Sequence, residues 1–110
     1  MAGFVKGEVV VIPFPFSDLS QYKRRPALVI SSLLGNDVIL CQITKVGANR
    51  PYSISLKGTD FHSGSLKIDS FVRPNRLFTA ESSIIIKSIG FIKQNKLQEI
   101  IGDLITIISN

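Results

Sequence analysis

Arg25 stands directly before Pro26, where a polar stretch gives way to the apolar run Ala27–Ile30, and Thr44 stands directly after the apolar run Val38–Ile43. If the two runs are consecutive antiparallel strands, the start of one and the end of the other lie at the same edge of the sheet. A guanidinium and a hydroxyl can then converge on one point. Donors fixed in that way stabilise charge developing on a phosphorane-like transition state by preorganised hydrogen bonding, with no metal required. Lys23, Arg24 and Lys45 flank the pair in sequence, and Arg73, Asn75 and Arg76 follow a later apolar run. The planar arginine fork matches phosphate oxygens in pairs, so the arginines among them, with the neighbouring lysines, are candidate contacts to a polyanion. The plainer reading is that all of them decorate an ordinary basic surface.

Other chemistries are poorly supplied. One His, one Cys and no paired-carboxylate motif cannot furnish the three or four ligands of a metal centre, so no metal is expected. The eight glycines are scattered and form neither a GxGxxG nor a GxxxxGK[ST] string, which argues against a nucleotide cofactor. Asp60, His62 and Ser63 contain the letters of a hydrolase triad, but triad members come from separate elements. Crowded into one irregular loop, they read as solvated residues. Cys41 sits within an apolar run, where a lone thiol packs as a small hydrophobe.

The elements that must position the pair follow from the hydrophobic pattern. Val5–Pro13 reads as a strand that stops at Pro13 and Pro15. A long polar loop from Ser17 to Arg25 precedes the second strand, Ala27–Ile30, and the turn Leu34–Asp37 leads into the third, Val38–Ile43. Tyr52–Leu56 alternates with period two, as does Leu66–Asp69 running into Phe71 and Val72. Ile84–Ile86 and Ile89–Ile92 are further short β-branched runs. From Lys96 the period changes: Leu97, Ile100, Ile101, Leu104, Ile105 and Ile108 form the stripe of an amphipathic helix. Asn95 with Gln98 three residues on resembles a capping box at its start. Five to seven short strands followed by one helix predict a small, strongly curved sheet or barrel capped by that helix.

The 110 residues correspond to one domain, 45% hydrophobic and 19% charged, which argues against disorder. The formal charge of +5 is concentrated between Gln21 and Arg76, where nine cations, including every arginine, face three carboxylates. A lone cysteine suits a reducing compartment, no uncharged run approaches the ~18 residues of a membrane span, and the N-terminus lacks the pattern of a leader. The cytoplasm is the expected location. A mean hydropathy of +0.29 in so small a chain suggests apolar surface buried against another copy or a partner.

Gly7–Phe14 (GEVVVIPF) and Lys23–Ser31 (KRRPALVIS) resemble the opening of the MazF/PemK family of toxin endoribonucleases. Gln42–Thr44 resembles the family's strand ending in Thr, Asp69–Leu77 (DSFVRPNRL) its next motif, and Ile89–Gly90 with the terminal helix its closing segment, so the likeness spans essentially the whole chain. It implies an SH3-like barrel of the PemK/CcdB type with a C-terminal helix, a homodimer, and a cognate antitoxin on a separate chain. It also implies metal-independent cleavage of single-stranded RNA at short motifs, leaving 2′,3′-cyclic phosphate and 5′-hydroxyl ends. Arg25 and Thr44 take the positions of the family's catalytic pair, and Lys23, Arg24, Lys45, Arg73, Asn75 and Arg76 become RNA contacts. Because a guanidinium keeps its proton at physiological pH, charge stabilisation is the role expected of Arg25. Two positions depart from the family pattern: the loop before Arg-Pro reads SDLSQYK, and Asn75 stands where the PemK branch carries Asp. The alternative is a non-catalytic barrel that binds nucleic acid or a protein, of the gyrase-poison type. Phe16, Tyr22 and Phe61 are candidate base-stacking residues.

Overall fold

A computed structural model describes residues 3–14 and 23–110. Seven strands, β1 (Glu8–Phe14), β2 (Lys23–Ser32), β3 (Asp37–Thr44), β4 (Ile54–Leu56), β5 (Phe61–Gly64), β6 (Ser70–Glu81) and β7 (Lys87–Ile92), precede one helix, α1 (Gln94–Ser109). The strands form a single sheet in the order β4-β6-β3-β2-β1-β7-β5, and every pairing is antiparallel. The continuous apolar runs of β1 to β3, buried on both faces, explain why they form the centre. On β1, Val9 belongs to one buried cluster and Val10 and Ile12 to another, on the opposite face.

The first cluster explains the shape. Ile54 and Leu56 of β4 and Phe61 of β5 come from opposite edges of the sheet, yet they share one cluster with Leu28, Ile43 and Val72. A sheet whose two edges meet in one core must curl, as the fold class expected from the pattern requires. Helix α1 closes the concave side, inserting Leu97, Ile100 and Leu104 into the same cluster. Replacing fully buried Ile100 by alanine is expected to cost about 2–5 kcal/mol, read as a lower urea midpoint at unchanged slope. A loss below ~1 kcal/mol would show that the helix contributes little to the core.

Several local expectations are corrected. The helix begins at Gln94 with Lys93 at its N-cap and no side-chain capping bond, so Asn95 lies in the first turn rather than before it. The stripe is also only partly buried: Ile105 and Ile108 remain 54% and 68% exposed. Tyr52 adopts φ 67, a left-handed conformation that a strand cannot contain, which delays β4 to Ile54. Leu66–Asp69 is not a strand, because this segment crosses from β5 at one edge toward β6 near the other and has no ladder partner. The expected irregular loop at Phe61–Gly64 is instead β5, paired with β7. Ile84 ends a 3-10 turn, Ser82–Ile84, where a strand is predicted.

Candidate active site

The register of the central strands determines which residues share a face. Ile12 pairs with Arg25, Ala27 with Gln42, and Thr44 with Phe71. Carrying the β2–β3 register two residues beyond Ala27 and Gln42 brings Arg25 opposite Thr44. Directly opposed residues lie on the same face, so Ile12, Arg25, Thr44 and Phe71 form one row across β1, β2, β3 and β6. The next row, Val10, Ala27, Gln42 and Arg73, stands on the same face. Val10, Ile12 and Ala27 assign both rows to the second cluster, on the side away from α1.

β2 begins at Lys23, two residues before Arg25, so Lys23, Arg24 and Arg25 are strand residues rather than loop. The sequence reading of Phe16, Gln21 and Tyr22 falls outside the described residues. Arg25 and Thr44 are both half-buried. The Val46 amide donates to Thr44 Oγ1 at 3.2 Å, which anchors the side chain, whereas among the described residues its O–H reaches only the Val46 carbonyl, at 3.4 Å. A hydroxyl bond of full strength is shorter, about 2.5–3.0 Å. Among the described residues the Thr44 proton is therefore only weakly held, and it can turn to an incoming oxygen.

A cleft of about 530 Å³ opens across the ends of β2 and β3. Four consecutive residues of β2, Lys23 to Pro26, line it together with Ile43, Thr44 and Lys45. Because neighbours on a strand point to opposite faces, a cleft lined by four in succession wraps around the strand ends. The crossing segment Ser65–Ile68 supplies its far wall, and Val11, Lys87 and Ile89 its floor. Among the described residues, six cations, Lys23, Arg24, Arg25, Lys45, Lys67 and Lys87, border the cleft and no carboxylate does. Both ion pairs among the described residues belong to Lys96, at 3.8 Å from Asp60 and 3.0 Å from Glu99. Among the described residues the cleft is thus a cationic site, suited to a polyanion.

The remaining candidates are placed elsewhere. Arg73 and Arg76 lie within β6, not at a strand end as the sequence suggests. Gln42 pairs with Arg73 but Cys41 with Leu77, so Pro74, Asn75 and Arg76 form a bulge. Asn75 and Arg76 are exposed on it, and neither borders the cleft. Arg73 is only 9% exposed, with its Nε unpaired, one row inward from Thr44 on the same face. Its carbonyl accepts the Cys41 S–H at 2.9 Å, and burial pushes the Cys41 thiol up to about 12, so it stays protonated. Phe61 is core, not a stacking platform, and His62 is exposed on β5.

Sequence reasoning missed Lys67 and Lys87. The signal for Lys87 was its alternation with Ile89, which puts both on the cleft face. Lys67 carries no local signal, because only the crossing path of residues 65–69 brings it there.

The chain belongs to the PemK-like, MazF-like toxins of type II toxin-antitoxin systems, matching that family over residues 5–108. Solved structures share its fold. MazF in a MazE–MazF crystal from Deinococcus radiodurans superposes with a TM-score of 0.78 at 19% identity, covering 96% of each chain. A mycobacterial endoribonuclease in complex with its cognate antitoxin gives 0.75 at 17% identity, over 97% of this chain and 96% of that one. The Mycobacterium tuberculosis toxin MazF-mt6 gives 0.69 at 13% identity, over 93% and 96%. No curated protein matches the sequence closely.

Proposed function

We propose that the protein is a metal-independent endoribonuclease that cleaves single-stranded RNA by transesterification. The observation that carries this reading is the row bringing Arg25 opposite Thr44 at a cleft bordered by six cations, in a chain of this toxin family. The ribose 2′-oxygen attacks the adjacent phosphorus and loses its proton, and the P–O5′ bond breaks. The 5′-oxygen leaves and takes up a proton, giving a 2′,3′-cyclic phosphate and a 5′-hydroxyl. Arg25 neutralises charge on the non-bridging oxygens, and the Thr44 O–H donates to one of them. DNA, which lacks the 2′-hydroxyl, is not cut.

The reaction is tested by incubating the protein with a long single-stranded RNA in excess EDTA and examining the fragment ends. Discrete fragments ending in cyclic phosphate are expected; uncut RNA would leave a binding barrel as the better reading. Lys67 and Lys87 are assigned to substrate phosphates. Replacing both by alanine should raise KM and flatten the slope of log affinity against log salt by about 0.7 per lysine; an unchanged slope would exclude them from the path of the RNA. Because related structures carry a cognate antitoxin, we assign this chain an acidic antitoxin partner, and the family geometry a homodimer.

A further inference from the structure

A second cleft adjoins the first. It has a volume of about 490 Å³ and lies beneath the loop that leaves β3, between Lys45 and Arg50, with Phe71 of β6 as its wall. Lys45, next in the chain to Thr44, borders both clefts, so they are neighbours. Phe71 is the residue paired directly with Thr44. Paired Cα atoms in an antiparallel ladder are only about 4.5–5.5 Å apart, so whatever rests on Phe71 sits one nucleotide or less from a phosphate held by Thr44.

The loop is built to lie against that ring. A Cβ on Gly47 would come 3.0 Å from Phe71 Cβ and 3.0 Å from Ser53 Oγ, so a larger residue there would press on the ring. Two backbone bonds, Arg50 N to Gly47 O at 3.0 Å and Ser53 N to Arg50 O at 3.3 Å, hold the turn that presents Asn49 and Arg50. The Val46 amide bonded to Thr44 Oγ1 ties the start of the loop to the site itself.

From this arrangement we infer a nucleobase subsite: Phe71 stacks the base next to the scissile phosphate, Asn49 reads its edge, and Lys45 and Arg50 hold the flanking phosphate. The inference rests on the RNA-cleaving reading and adds where sequence selectivity arises. An aromatic face accepts any base, at about 1–3 kcal/mol per stacked base. A side-chain amide both donates and accepts, so it can tell one base edge from another. An acidic peptide would satisfy the two cations but would leave the ring and the amide unused.

The protein contains no tryptophan, so Phe71→Trp introduces a single fluorophore at the wall. The probes are dye-labelled 2′-O-methyl RNA oligonucleotides, which lack a free 2′-nucleophile and differ only in the base placed next to the site. Their binding is followed by dye anisotropy, independently of tryptophan emission. The expected result is quenching on binding, with one base preferred by about 10-fold and the preference lost with Asn49→Ala. Oligonucleotides that bind without quenching, or that quench equally with every base, overturn the subsite while leaving the RNA reading intact. Absence of binding overturns both. If Phe71→Trp does not fold, Asn49→Ala and Arg50→Ala, both at exposed positions, are compared with the unaltered chain for the base preference of binding. An unchanged preference overturns the proposal.

Discussion

Replacing Arg25 by alanine is expected to slow RNA cleavage by about 10²–10³-fold at saturating substrate, and Thr44→Ala by a similar factor, because each removes one donor to the same developing charge. Single-turnover cleavage of an end-labelled RNA measures this directly. The two losses should not multiply in the double variant, since residues acting on one transition state are strongly non-additive. Arg25→Lys keeps the charge but gives up the paired donors, so it should recover part of the rate and fall well short of the parent. Both residues are half-buried at strand ends rather than in either hydrophobic cluster, so the variants should melt within a few degrees of the parent. Cleavage unaffected by both substitutions would remove the pair from the reaction.

Gly64→Ala is expected to be the most damaging small substitution in the fold. Gly64 has φ +72, and a Cβ there would lie 2.1 Å from the Ile89 carbonyl oxygen. Its ladder partner, Gly90, is equally confined: a Cβ on it would come 2.5 Å from the Ser63 carbonyl. The left-handed backbone costs an alanine about 1–2 kcal/mol, and overpacking against a backbone that cannot yield adds about 1–3 kcal/mol. The melting temperature should fall by roughly 10–20 °C. Calorimetry decides the matter, and a loss under about 1 kcal/mol would mean that β5 separates readily from β7. The effect should reach the cleft, because the segment that follows Gly64 carries its far wall.

The parts of this molecule legible in its sequence are those whose neighbours are close in the chain. The runs 9–12, 27–30 and 38–43 are short and almost wholly apolar, pair in chain order and bring Arg25 opposite Thr44. Leu97, Ile100 and Leu104 repeat at helical spacing and enter the core as that spacing requires. What escaped the reading depends on partners far away. Phe61–Gly64 is too short and polar to announce a strand, and exists as one because β7 supplies its ladder. Leu66–Asp69 alternates like a strand but is a crossing between sheet edges. Arg73 belongs to a basic stretch in the sequence, yet the structure buries it while Asn75 and Arg76 on the bulge stay exposed. The charge between Gln21 and Arg76 is therefore not one face: it is divided among two clefts, a bulge, a buried guanidinium and the exposed Lys57.

The strand order has a consequence for timing. Only the β1–β2 and β2–β3 ladders join strands that are consecutive in the chain; the other four close across longer intervals. Such ladders must overcome loop closure before they yield any contact, which slows assembly. Arg25 and Thr44 leave the ribosome early, but the wall opposite Thr44 arrives with β6, and the Lys87 edge of the cleft only with β7. A chain interrupted before residue 87 carries both reactive side chains and no finished cleft. In a protein proposed to destroy messenger RNA, that order withholds activity from incomplete products, so each molecule becomes harmful only after its own translation is nearly done.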